Sequence, residues 1–241
     1  MAQVPLPTAE NPVRRILPVT GRKFFLLFLF LLADLALYPY MADSGVRYRV
    51  FRLVGAAVTL MSIYAVSFRR GLILVALILA IPALVEHSIV FRTTLLPASI
   101  FTVVLSFAFD LFIIVVIFRR VFAREEPTAE TIFGAVCIYL LIGFSFGRLY
   151  AIVAIIWPHA FYLDPAMNLH TVPVGFDFIF FSFGSMTTAG AAGIAAVLPQ
   201  VRSLSMIESV LAVLYLAVMI ARLMGAYRAN QLAPSTPRDA A

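Results

Sequence analysis

Apolar residues in this chain gather into long runs separated by short polar breaks, most of which carry arginine. Six runs, at about 24–41, 51–68, 71–91, 97–118, 129–157 and 203–227, approach or exceed the roughly 20 residues that a helix needs to cross a bilayer. A seventh, from Phe176 to Thr187 (FDFIFFSFGSMT), is too short to cross and fits a re-entrant helix that enters the membrane and turns back. The pattern predicts an all-α membrane protein with six transmembrane helices and a re-entrant helix and loop between the fifth and sixth. It divides the chain into a polar cytoplasmic tail (1–22), a four-helix membrane domain (23–124), a second membrane module (125–229) and a disordered tail (230–241). The break at REEPTAE, residues 124–130, marks the internal boundary, with Thr128 or Thr131 able to cap the helix that follows. No internal repeat is visible.

Composition agrees. The chain is 63% hydrophobic and 12% charged, with mean hydropathy +1.01, too little polar surface for a water-soluble domain. Its net charge of +6 does not point to nucleic acid, because the arginines flank apolar runs, where they face anionic lipid and set topology. Arg14, Arg15, Arg22 and Lys23 precede the first run, Arg69 and Arg70 separate the second from the third, and Arg119, Arg120 and Arg124 follow the fourth. With Arg222 and Arg228 near the end, these place both termini in the cytoplasm. Arg47, Arg49 and Arg52 dissent, so the first hairpin is the least fixed part of the topology. Residues 14–42 have the outline of a signal peptide, but Asp34 interrupts its apolar core and further spans follow. Between Trp157 and Pro199 there is no basic residue, only Asp164, Asp177, His159 and His170, which predicts an acidic, cation-attracting outer mouth. The lone Cys137 allows no intrachain disulfide. No His or Cys spacing fits a metal site, and no nucleophile–base pair is visible, so neither an enzyme nor a bound cofactor is expected.

The chemistry concentrates in SMTTAGAAGIAAV, residues 185–197. A short helix, a glycine-containing loop and a long final span have a physical logic together. Non-helical backbone at membrane depth survives only where protein buries it or where it lines a wet cavity. In cation filters the carbonyls of such a loop replace the water around the ion, and the negative end of the short helix favours a cation there. One loop cannot ring an ion, so four chains around an axis are implied.

FFSFGSMTTAGAAGIAAVLPQVRSLSMIESVLAVLYLAVMIARLMGAY resembles, without a gap, the pattern FSF, TTVGYGD, a Pro, RSL, a Glu, LYLAV and ARL. That pattern belongs to the bacterial ion channel family related to two-pore-domain potassium channels. AVCIYLLIGFSFGRLYAIV resembles the same family's first pore-module helix, so the likeness covers about residues 129–228. The resemblance implies the pore-forming subunit of a homotetrameric potassium-channel-like cation channel in the cytoplasmic (inner) membrane. Its permeant ions would be K or Na, and its partners copies of itself and the lipid bilayer, with no nucleic acid and no small-molecule substrate.

Position by position, Thr187 matches the threonine that ends the pore helix, and Thr188 the one whose hydroxyl and carbonyl form the innermost ion site. Ala189, Gly190, Ala191 and Ala192 stand where the family has Val, Gly, Tyr and Gly, and Gly193 where it has an acid. Ala192 would occupy a left-handed position at roughly 1–2 kcal/mol per chain. Ala191 would leave open the space of the tyrosine that props the filter. Gly193 would remove an outer-mouth charge and a hydrogen-bond anchor, although it could supply flexibility one residue later. Weak cation selectivity, a pore that does not conduct, and retained potassium selectivity all stay open.

Other charged residues have plainer readings. The fourth run carries Asp110 and no positive charge inside it, so it is not a voltage sensor. Asp34 and Asp110 could form a proton or ion relay, but pairing with arginines or polar groups inside the four-helix domain is preferred. Glu86 and His87 could sense pH or simply hydrogen-bond at the interface. Arg148 and Glu208 are expected to form an ion pair supporting the pore, or else Glu208 caps its helix near Ser203 and Ser205. Ala212 and Val213 stand where the family often has Gly and Gln, so no glycine gating hinge is expected there. The sequence supports a cation channel with altered or lost potassium selectivity, or alternatively a non-conducting membrane scaffold or sensor that keeps the channel fold. A transporter would need paired broken helices, which are not visible.

Overall fold

The computed structural model describes residues 23–37, 45–67, 70–89, 96–123, 128–168 and 170–232. The expected tail at 1–22, the 124–127 break, and the side chains of Arg47, Arg49, Arg52, Glu86 and His87 lie outside the described residues. Of the disordered tail expected at 230–241, residues 230–232 are instead the last turn of the final helix, and only 233–241 lie outside.

Among the described residues, seven helices fall on the seven apolar runs: α1 (Lys23–Leu37), α2 (Gly45–Val66), α3 (Arg70–Ile89), α4 (Leu96–Phe122), α5 (Ala129–Ile156), α6 (Gly175–Met186) and α7 (Pro199–Leu232). Three of them are long and apolar enough to cross a membrane, over Ile100–Phe122, Ala129–Ile156 and Pro199–Gly225. Leu53–Val66, Gly71–Leu84 and Gly175–Met186 are shorter apolar helical stretches. The fold departs from all-α at one place. β1 (Phe161–Leu163) pairs antiparallel with β2 (Ile194–Ala196), Tyr162 opposite Ala195. Strands of three residues are too short for alternation to announce them.

The larger core lies among α1 to α5. Phe24, Leu27 and Leu31 bury one stripe of α1, and Phe109, Ile113, Ile117 and Val121 bury a stripe of α4 at four-residue spacing. Lys23 donates to the Ser67 hydroxyl at 3.3 Å and sits 4.4 Å above the Tyr64 ring, so the start of α1 meets the end of α2. Gly134 packs against Val121 and Phe24, and the Arg222 guanidinium lies 4.6 Å over the Phe122 ring. The starts of α1 and α5 and the ends of α2 and α4 therefore share one end of the molecule with the last third of α7.

Thr128 caps α5. Its hydroxyl accepts the Thr131 N–H at 3.3 Å, while the Thr131 hydroxyl accepts the Thr128 N–H at 2.7 Å. Both threonines thus act in one reciprocal cap, a motif worth about 1 kcal/mol. Farther along α5, Gly143 and Gly147 let α6 approach closely: a Cβ on Gly147 would lie 3.2 Å from the Ile179 backbone. α6 has 12 residues, about 18 Å of helix, roughly half the ~30 Å hydrocarbon core. Asp177 closes its first turn, accepting the Val174 N–H at 2.7 Å and meeting His170 Nε2 at 2.8 Å. Its carboxylate suits the positive end of the helix.

Candidate functional site

The loop 187–193 is built on the C-terminal end of α6. Three N–H groups turn back to the helix: Thr187 to the Phe183 carbonyl at 3.0 Å, Thr188 to Ser185 at 3.2 Å, and Gly190 to Gly184 at 3.0 Å. The Thr187 hydroxyl donates to the Phe183 carbonyl at 2.7 Å. These bonds satisfy carbonyls that a helix end leaves without partners. The complementary result lies in the loop itself. Thr187, Thr188, Ala189 and Gly190 are exposed, and their own carbonyls accept no hydrogen bond from any described residue. Gly184 allows this fold-back, because a Cβ there would stand 2.7 Å from the Gly190 oxygen.

Backbone strain falls where the sequence did not place it. Thr188 has φ +57 and is the one non-glycine at positive φ among the described residues; Gly190 has φ +78 and Gly193 φ +82. Ala192 is not left-handed, so the strain expected there is absent and the turn is made one residue later, at a glycine. Thr188 instead carries the cost, about 1–2 kcal/mol.

The outer side of the loop is held by the α5–α6 connection. The Gly193 carbonyl accepts the Asp164 N–H at 2.9 Å and the Asn168 side-chain amide at 2.8 Å. Asn168 also donates to the Asp164 carbonyl at 3.0 Å. The anchor expected to be lost with the acid at position 193 is thus supplied to the backbone by Asn168 and Asp164. β1 and β2 extend the same attachment.

Behind the loop, Ala191 packs with an aromatic cluster from α5, β1 and α6. Tyr150 and Phe181 meet edge to face at 5.0 Å, and Phe161 meets Phe178 at 5.1 Å. Beneath them Glu208 is fully buried. It accepts the Tyr150 hydroxyl at 2.6 Å and the Ser182 hydroxyl, which also lies 2.8 Å from the Gly143 carbonyl. One carboxylate therefore ties α7 to α5 and α6. Ser185 and Ser205 hydroxyls lie 2.9 Å apart, and Ser209 donates to the Ser185 carbonyl at 2.9 Å, joining the base of the loop to α7.

The expected Arg148–Glu208 ion pair does not form. Arg148 bonds Asp110 of α4, whereas Glu208 is satisfied by Tyr150 and Ser182. Helix geometry explains the difference: Arg148 and Tyr150 are two residues apart, about 200° around α5, and it is Tyr150 that faces α7. Nor does Glu208 cap α7, which begins nine residues earlier at Pro199. Asp110 does pair with an arginine, but one from α5 and not from inside the four-helix domain where its partner was expected.

Thr187 to Gly193 thus form one continuous loop, Glu208 stands behind it, and Arg148 faces away from it. Tyr150, Ser182 and Asn168 are the supporting residues that sequence reasoning missed. Ser182 lay within FSF; Asn168 had no local signal. Among the described residues no group of three or more His, Cys, Asp or Glu could hold a metal ion. No protein-family model, curated protein or solved structure matches this chain.

Proposed function

We propose that this chain is the pore-forming subunit of a homotetrameric, potassium-channel-like cation channel of the bacterial family whose pore pattern it resembles. In this reading α1 to α5 and α7 cross the bilayer, α6 is the re-entrant pore helix, and residues 187–193 are the filter. The membrane is the inner membrane, with both termini cytoplasmic. The observation that carries the proposal is the set of exposed carbonyls from Thr187 to Gly190, without a hydrogen-bond partner among the described residues, at the negative end of a helix too short to cross. Four such loops around an axis surround a monovalent cation with peptide oxygens. Asp164 and Asp177 give the entrance its acidic character. Passage is passive, and potassium selectivity is altered because Ala191, Ala192 and Gly193 replace the outer half of the family's filter.

A second reading, a non-conducting scaffold with the same fold, draws on the Thr188 N–H bond to Ser185, which folds the loop's start back onto α6. Ion flux into liposomes holding the purified chain separates the two. Flux in the unmutated protein, at comparable Na and K rates, supports the channel with an altered filter. Flux that appears only after Ala191→Tyr, Ala192→Gly and Gly193→Asp together supports the scaffold.

A further inference from the structure

A cavity of about 30 Å³ lies among α1, α2, α3, α4 and α5, away from the filter loop. Asp34, Thr59, Ser62, Asp110 and Arg148 line it, between apolar side chains. Its volume suits one or two water-sized particles.

Apart from the Arg148 guanidinium, the polar side chains at this cavity present oxygen lone pairs. Thr59 spends its hydroxyl proton on the Gly55 carbonyl at 3.1 Å, and Ser62 spends its own on Val58 at 2.8 Å. Both oxygens are then acceptors only. Asp110 is bonded to Arg148. The Asp34 Oδ1 atom is completely buried and accepts no hydrogen bond from any described residue. Arg148 is the cation that lines the cavity, and it faces two carboxylates, Asp34 and Asp110, while bonded to Asp110, so one negative charge is left without a counter-charge of its own. A divalent ion would require more carboxylates than Asp34, since Asp110 is bonded to Arg148.

We propose that this cavity binds a single small monovalent cation, of the size and hardness of sodium, held by Asp34 with the hydroxyl oxygens of Thr59 and Ser62. The Arg148–Asp110 pair forms the opposite wall and keeps the site from accepting a second charge. The bound ion would join α1 to α2 and to the α4–α5 pair, and so stabilise the helices that carry α5 and the loop behind it. The inference does not depend on whether the filter conducts.

The test is thermal unfolding of the purified full-length chain in lipid nanodiscs, with NaCl exchanged for N-methylglucamine chloride at fixed ionic strength. Sodium should raise the unfolding temperature of the native chain saturably. Asp34→Asn should raise the half-saturating sodium concentration at least about tenfold, and Ser62→Ala should shift it the same way. The proposal is overturned if sodium acts no more strongly than N-methylglucamine, which leaves a water or a proton at Asp34. An unchanged response in Asp34→Asn also overturns it, and would locate the ion away from this cavity. Should Asp34→Asn fail to fold, an unchanged half-saturation in Ser62→Ala overturns it equally.

Discussion

Single residues decide how the loop holds its shape, and their energies are separable. Gly193 combines φ +82 with an Asn168 amide that a Cβ would approach to 2.9 Å. Gly193→Ala should destabilise the chain by about 1–3 kcal/mol, the sum of left-handed strain and displacement of Asn168. Asn168→Ala should cost about 1 kcal/mol through the lost bond to the Gly193 carbonyl. Thr188→Gly should move stability the other way, by about 0.5–1 kcal/mol, because relief at φ +57 exceeds the added chain entropy. Denaturant titration of the three variants in one detergent measures all of these; a destabilised Thr188→Gly would mean that the threonine earns its place by contacts rather than enduring strain. The flexibility of Gly193 was legible in the sequence, since a glycine directly after two alanines offered the turn a place to move. Asn168 was not, because an amide 25 residues away meets that turn only through the pairing of β1 with β2.

Helices were legible as elements and illegible as rotations. All seven apolar runs became helices, and the Thr128–Thr131 pair at the start of α5 was readable because a cap is a local pattern. The partner of Arg148 was not, because which neighbour a residue faces depends on its angle around the helix and on which helix packs there. Hydrophobicity nearly all round α5 conceals that angle. Double-mutant cycles recover it. Arg148→Met with Asp110→Asn should couple by about 1–3 kcal/mol, as expected for a partly buried bonded pair, while Arg148→Met with Glu208→Gln should be additive within about 0.5 kcal/mol. The reverse result, strong coupling to Glu208, would turn α5 by roughly half a revolution and remove Tyr150 from the Glu208 network.

At the scale of the whole molecule, α7 is the element whose surroundings one chain does not supply. Its Ser205, Glu208, Ser209 and Tyr215 face α5 and α6, but Met206, Val210, Val213, Leu214, Ile220 and Met224 are exposed. Lipid and further copies of the chain cover such side chains equally well, so hydrophobicity does not tell which of the two lies on which side. Counting conducting units does. Gly190→Pro removes the N–H bonded to Gly184 and forbids φ +78, so it disables the loop while leaving the helices intact. If the chain assembles as the proposed tetramer, native and Gly190→Pro chains mixed unfolded in equal amounts and reassembled in liposomes give a ring of four native loops in only about one sixteenth of assemblies. Flux per chain should then fall to about one sixteenth of the native value if one faulty loop breaks the ring. A fall to about one half would mean that each chain conducts alone, and the exposed apolar face of α7 would then belong to lipid.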